Sequence, residues 1–324
     1  MRILLLGGTK FIGRHIAEAL LRAGHDVSVF ARGKTPDELP AAVERLRGDR
    51  DAGRDGLAAL EGRTFDACVD VSGYLPSQVR PAAQMLSQAV SRYVFISTGA
   101  VYAATKQVPV TEEHALLAGA PESVTEINGE TYGPLKVTCE AIVREVFGER
   151  AAIVRPQIVA GTHDPYGRYS RWVKRAQLPG PMLLPGDGDD FVQVVDVRDV
   201  AALVLGVIAQ GFSGVVHAAG PRITWREFAR VLGVRQGVWV GSDVLAREGV
   251  SEQDLPLYRM RGGVRSEGMH MSSERMESLL AGMGAALHFP QATHDAVRAW
   301  VQHDQATLGM TLERERELLT RAGN

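Results

Sequence analysis

The chain has 324 residues, of which 38 are acidic and 36 basic, and 45% are hydrophobic; a sizeable core is affordable, and so even a charge balance leaves no electrostatic footprint for nucleic acid or an anionic membrane. Two cysteines, Cys68 and Cys139, cannot build a disulfide framework, and nine histidines lie scattered without a ligand cluster, so no metal is expected. No apolar run approaches membrane-spanning length and the first strand begins almost at Met1, leaving no signal peptide, so a cytoplasmic protein with a small-molecule partner is expected.

Ile3-Leu4-Leu5-Leu6 feeds directly into Gly7-Gly8-Thr9-Lys10-Phe11-Ile12-Gly13, which predicts a strand, a tight turn and a helix start. Such a turn leaves the first helical N–H groups unpaired at the positive end of the helix dipole, where a pyrophosphate fits. Glycines also serve any sharp strand-to-helix reversal, so context decides. The next helix has Ile12, Ile16, Ala19, Leu20 and Ala23 on one face and ends at Gly24, and Val27-Ser28-Val29-Phe30 is a second strand. Together they make the βαβ unit that a dinucleotide turn requires.

Two details are unusual. Lys10 stands where the middle glycine of the usual fingerprint lets backbone approach phosphate, and the second strand ends in Ala31-Arg32-Gly33-Lys34 with no acid for a ribose 2′-hydroxyl. Arg32, with Lys10, suits a 2′-phosphate, which favours NADP(H) and leaves NAD(H) as the other option. The plain alternative is that Arg32 and Lys34 are solvated loop charges.

Glu44 to Asp51 predicts a short third strand ending at an acidic turn, where Asp49 either accepts from an adenine amino group or caps the next helix. After a small helix around Leu57 to Leu60, the run Ala67 to Gly73 is apolar enough for a strand buried between helix layers, and its carboxyl end, Val71, Ser72, Gly73 and Tyr74, belongs beside the crevice. A helix from about Ser77 to Val90 leads to the strand Tyr93 to Ile96, which delivers Ser97 and Thr98 to the same edge. A polar, turn-rich loop, Glu112 to Glu130, precedes Thr131-Tyr132-Gly133-Pro134-Leu135-Lys136 and a helix to about Phe147. Tyr132 and Lys136, four apart, share a helix face. An ammonium close to a phenol favours the phenolate and makes proton exchange with a substrate hydroxyl feasible, while Thr98 holds the substrate oxygen. A tyrosine and lysine at this spacing are otherwise a common surface pair; their arrival after a dinucleotide turn and a strand ending Ser97-Thr98 argues for function.

With those residues in hand the chain resembles the extended short-chain dehydrogenase/reductase superfamily, the NAD(P)-dependent epimerase/dehydratase group. The likeness covers roughly residues 1 to 220 through the glycine turn, Phe95-Ile96-Ser97-Thr98 with Val101-Tyr102, Tyr132-x-x-x-Lys136, Arg155-Pro156 and Phe191 to Val197. It implies a Rossmann-type doubly wound parallel sheet with a smaller mixed α/β C-terminal substrate domain, divided as residues 1–160 plus about 190–220 and 161–189 plus about 221–324. It also implies Thr98, Tyr132 and Lys136 as the catalytic set, Lys136 holding the nicotinamide ribose, and Pro156 to Ile158 lining the nicotinamide. The basic residue at position 10 looks like an atypical branch that includes bacterial reductases and a chloroplast RNA-binding protein. A homodimer formed through the helices near Ser77 to Val90 and Tyr132 to Phe147 is a further expectation from the resemblance.

Three departures narrow the chemistry. Gly99-Ala100 follow Thr98 where 4,6-dehydratases carry Asp-Glu, which argues against dehydration by that route. Gly188-Asp189-Asp190-Phe191 replaces an arginine that contacts nucleotide-sugar phosphates in many relatives, and carboxylates there repel a pyrophosphate. The missing acid after Phe30 points to net reduction over internal epimerisation. The segment Thr162 to Trp172 follows the nicotinamide strand, and His163 and Arg168 are expected to line the substrate pocket with Tyr74, Thr98 and Gln193, Trp172 being equally well a core anchor. Short helices around Trp225 to Leu232, Ser273 to Leu280, Thr293 to His303 and Glu313 to Arg321 then alternate with brief strands, and Met269, His270 and Met271 are expected to be packing residues. The expected activity is that of an NADP(H)-preferring reductase or dehydrogenase of a carbonyl or secondary alcohol; the alternatives are an NAD-dependent sugar or sugar-nucleotide epimerase and a non-catalytic nucleotide sensor.

Overall fold

The computed structural model describes residues 1–34, 37–259, 270–303 and 309–322. In chain order the first elements are β1 (Arg2–Leu6), α1 (Phe11–Arg22), β2 (Asp26–Ala31), β3 (Glu44–Arg47), β4 (Phe65–Asp70), α2 (Pro76–Leu86), β5 (Val90–Ile96), α3 (Tyr132–Phe147) and β6 (Ala151–Pro156). Then come β7 (Val159–Ala160), α4 (Ser170–Ala176), β8 (Met182–Pro185), β9 (Phe191–Gln193), β10 (Val195–Asp196), α5 (Val197–Ala209) and β11 (Gly214–Ala218). The last are β12 (Arg222–Thr224), α6 (Trp225–Val231), β13 (Gly237–Val240), α7 (Ser242–Arg247), α8 (Glu274–Ala281), α9 (Gln291–Trp300) and α10 (Leu312–Ala322).

Seven strands form one sheet in the order β11-β6-β5-β4-β1-β2-β3, every neighbouring pair parallel. Both faces are covered, so the strands are apolar runs without alternation. In β1, Ile3 and Leu5 face a core shared with Ile16 and Leu20 of α1 and Leu203 and Val204 of α5. Leu4 and Leu6 face the opposite core, with Val79 and Leu86 of α2 and Cys139 and Ile142 of α3. These four aliphatic side chains of β1 are fully buried, each contributing about 1.5–3 kcal/mol of hydrophobic stabilisation. The strand order reverses between β1 and β4, and a doubly wound sheet opens a crevice at the carboxyl ends of the strands flanking such a point.

Two boundaries differ from the sequence expectation. The second helix stops at Leu86, and Val90 is the first residue of β5, because the carbonyl of Ala89 accepts from Phe65 N–H at 2.8 Å and draws the chain into the ladder. Helix α8, expected in the C-terminal annex, packs Met276 and Leu280 into the sheet-side core beside α5. The annex has its own core of Trp172, Trp225, Phe228 and Tyr258, with Trp172 and Trp225 crossing edge to face at 4.9 Å. Met271 is buried, His270 meets the Phe191 ring edge to face at 5.3 Å, and Met269 lies outside the described residues. Among the described residues no helix is long and apolar enough to cross a membrane, and no group of three His, Cys, Asp or Glu side chains stands close enough to hold a metal.

Candidate active site

The glycine turn is built by steric need. Gly7 and Gly8 have φ of 89° and 109°, a region that side chains disfavour. A Cβ on Gly13 would stand 2.3 Å from the Gly8 Cα, and one on Gly7 2.8 Å from the Ser72 Cβ, so strand, turn and helix pack at backbone contact. Val71 closes the same contact, 3.0 Å from both of those positions. Helix α1 then begins at Phe11, with Lys10 at its N-cap and no side chain capping it. That leaves the positive helix end available to an anion.

A cleft of about 310 Å3 opens in front of this turn, lined by Gly7, Thr9, Lys10, Arg32, Lys34, Asp49, Arg50, Asp51, Ser72 and Tyr74 among others. Four cationic side chains therefore face two carboxylates. Arg32 stands 3.6 Å from Asp51 and Lys34 3.6 Å from Asp49, loose exposed pairs of the kind that contribute little. Asp49 also accepts from Asp51 N–H at 3.2 Å and so caps the short helical turn that follows it.

Arg50 was missed by sequence reasoning. It is buried and donates to both oxygens of Asp70 at 2.7 and 2.8 Å, to the Gln78 carbonyl and to Ser72 Oγ at 3.3 Å, while the Tyr93 hydroxyl completes Asp70 at 2.8 Å. Burial pushes the Asp70 carboxyl up, but the Arg50 guanidinium and the Tyr93 hydroxyl outweigh it and hold the group below its ordinary value. The available signal was an acid in the middle of the apolar run Ala67 to Val71, which needs a buried cation.

Beside the crevice, the segments after β4 and β5 meet the start of α3. Lys136 is 3% exposed, donates to the carbonyls of Gly73 and Ile96 at 2.8 Å each, and lies 4.1 Å from the Phe95 ring centroid. Burial pushes its ammonium down to about 8. Burial raises the Tyr132 phenol, and the neighbouring Thr98 hydroxyl and the Arg168 charge pull it partway back. Two of the three N–H donors of the Lys136 ammonium go to backbone carbonyls. Thr98 Oγ1 accepts from Ala100 N–H at 3.2 Å, and Ser97 is buried next to it. Burial lifts the Tyr74 phenol to about 12, with its ring 5.6 Å from Lys136 Nζ.

The remaining expected residues divide. Pro156 ends β6, and Ile158 N–H is held by Gln157 Oε1 at 3.0 Å. Arg168 belongs with the Tyr132 group through its charge. Gln193 is occupied elsewhere: its amide donates to the carbonyls of Gly220 and Met271 and accepts from Met271 N–H, clasping β9 to the later chain. His163 lies against α1, with Arg14 at 3.4 Å and its ring centroid 5.3 Å from that of Trp300, and its contacts do not join it to Thr98 or Tyr132.

A glycine cradle at a topological switch point, a cationic cleft and the strand ends that Lys136 ties together share one sheet edge. The family model for the NAD dependent epimerase/dehydratase family matches residues 3–219. The chain belongs to that family. Among curated relatives of this member, the chloroplast stem-loop binding protein of 41 kDa b from Arabidopsis thaliana is 26% identical over 221 residues, 64% of this chain and 55% of the relative. The chain thus spans little more than half the length of that relative. Among solved structures, Bordetella bronchiseptica WbmG in complex with NAD has a TM-score of 0.68 at 19% identity, covering 94% of each chain. Human epimerase family protein SDR39U1 with NADPH has a TM-score of 0.60 at 21% identity, covering 93% of this chain and 99% of that one. These two share the fold, and one carries NAD and the other NADPH.

Proposed function

We propose that the protein is an NADP(H)-preferring reductase of a carbonyl compound, with the reverse oxidation of a secondary alcohol at the same site. The observation that carries this reading is the meeting of Thr98, Tyr132 and Lys136 beside a glycine cradle whose cleft presents Lys10, Arg32 and Lys34. The cradle fits a dinucleotide pyrophosphate, since three glycines leave no room for Cβ atoms and the helix end is uncapped. Arg32 and Lys34, with no acid on the end of β2, suit the 2′-phosphate. A bound nicotinamide supplies hydride transfer to or from carbon.

The chain itself handles the proton. A buried phenol stays protonated at neutral pH, so Tyr132 is poised to give its proton to a carbonyl oxygen, and the Thr98 hydroxyl orients that oxygen. Lys136 ties the Gly73 and Ile96 carbonyls together and so fixes the two strand ends that frame the reacting groups. Titration of the purified protein with NADPH and NADH, combined with Tyr132→Phe, tests the reading. NADPH should bind preferentially and release readily, and the variant should keep NADPH affinity while turnover falls by about 100-fold or more; preserved turnover refutes the role of Tyr132. An epimerase keeping NAD tightly bound is the second reading, favoured by the family to which the chain belongs, and co-purifying NAD would select it.

A further inference from the structure

Arg168, Arg171 and Arg175 lie on consecutive turns of the segment that enters and forms α4. Two of them have structural partners. Arg175 is buried and pairs with Glu315 at 2.5 Å, and Arg171 donates to the Met310 carbonyl at 3.3 Å. Arg168 differs: among the described residues it meets neither a carboxylate nor a hydrogen-bond acceptor, and its Nε, like that of Arg171, is buried without a partner. Its guanidinium lies 5.2 Å from the Tyr166 ring centroid, and its charge acts on the Tyr132 phenol.

The surroundings suit a ligand. Tyr166 is 58% exposed and Tyr74 39% exposed, two large aromatic rings left open where electrostatic reach joins both to Tyr132. A half-buried guanidinium without a counter-charge is costly, and an oxyanion that accepts its fork of N–H donors recovers that cost with bidentate geometry. Among the described residues Arg168 is the cation here that meets no acceptor, and one such cation matches one oxyanion.

We propose that Arg168 anchors a single oxyanion of the substrate, a carboxylate or a phosphomonoester, with the reacting carbonyl held between that anchor and the Thr98–Tyr132 pair and flanked by the rings of Tyr74 and Tyr166. This rests on the reductase reading above. In the reduction a hydride from the reduced nicotinamide adds to the carbonyl carbon, the C=O π pair moves to oxygen, and that oxygen takes the Tyr132 proton. The product is the corresponding hydroxy acid or hydroxy phosphate with oxidised nicotinamide, and water reprotonates the phenolate.

The test uses the full chain saturated with NADP+, in which a carbonyl ligand cannot be reduced. Ligand-observed NMR compares pyruvate with pyruvamide, and glycolaldehyde phosphate with glycolaldehyde. At least one charged probe should bind roughly tenfold or more tightly than its neutral counterpart, and which pair shows the difference identifies carboxylate or phosphate. Arg168→Gln should abolish that preference, and Arg168→Lys should retain part of it, while NADPH affinity of both variants stays within about twofold and certifies the fold. Equal binding of charged and neutral probes, including no binding of any of them up to about 50 mM, overturns the proposal, as does an unaltered preference in Arg168→Gln. A failure of NADP+ to bind in the same samples strikes the nucleotide reading alone, because the charge preference is still measurable on the unloaded protein.

Discussion

The sheet-side cores and the annex core bury their side chains by different rules. In β1 four consecutive aliphatic residues are divided alternately between two cores, so position along the strand decides which helix each one meets. The annex core is aromatic, with Trp172, Trp225 and Phe228 packed edge to face and the Trp172 indole donating to the Pro256 carbonyl at 2.6 Å. Its strands pair two by two, β8 with β13 and β9 with β12, in place of one continuous ladder. The difference teaches where chemistry can be placed: the ladder brings the ends of β1, β4 and β5 to one edge by register alone, whereas residues of the annex reach the site only by the path of its loops.

The buried ion pair of the sheet side and the aromatic pair of the annex should both be sensitive, for different reasons. Asp70→Ala strands the Arg50 guanidinium in a dry site and should cost about 3–5 kcal/mol in denaturant unfolding. Trp225→Ala leaves a cavity and should cost a similar 3–5 kcal/mol; however, only Asp70→Ala should also weaken NADPH binding in the fraction that remains folded, since Arg50 lines the cleft and holds Ser72. Equal effects of both on NADPH would erase the distinction between the two regions.

A second contrast is readable in pH. Lys136 sits near 8 when folded and near its ordinary 10.5 when unfolded. Between those values the unfolded chain binds more protons, so this group makes stability rise with pH through that window, and its full cost is felt below it. Relative to Lys136→Met, the wild type should gain roughly 3 kcal/mol from pH 7.5 to 10.5 in urea unfolding series. Parallel pH curves for the two proteins would show that the ammonium is not desolvated as its contacts with Gly73 and Ile96 require.

The smallest expected effect probes the exposed rim. Arg32→Ala should weaken NADPH about tenfold and NADH less than twofold, the loss of one charge-assisted contact to a phosphate that NADH lacks. Equal losses for both would assign Arg32 to the pyrophosphate or to its Asp51 pair. High salt should shrink the NADPH effect, because these groups are exposed and screened.

What was legible in the sequence follows from locality. The glycine turn, the first helix and the order of strands depend on neighbours within a few residues, and Thr98, Tyr132 and Lys136 could be singled out because each closes a recognisable local element. Arg50 was not found, because its meaning depends on Asp70, twenty positions later at the end of β4, which β1 and β2 separate from β3 in the sheet. His163 and Gln193 were expected at the substrate and are held by α1 and by the later chain respectively, since nothing in a loop sequence states which way the loop turns.

By itself, then, the sequence determined the parallel doubly covered sheet, the nucleotide cradle and the residue types at its edge, because apolar periodicity, glycine sterics and helix-end electrostatics act over a turn or a strand. The tertiary structure alone decided that Lys136 serves two carbonyls, that burial raises the Tyr132 phenol, that Asp70 has Arg50 for a partner, and that Arg168, just before α4, meets no acceptor among the described residues. Desolvation and charge pairing depend on everything within several ångströms, and those neighbours come from strands and loops far apart in the chain.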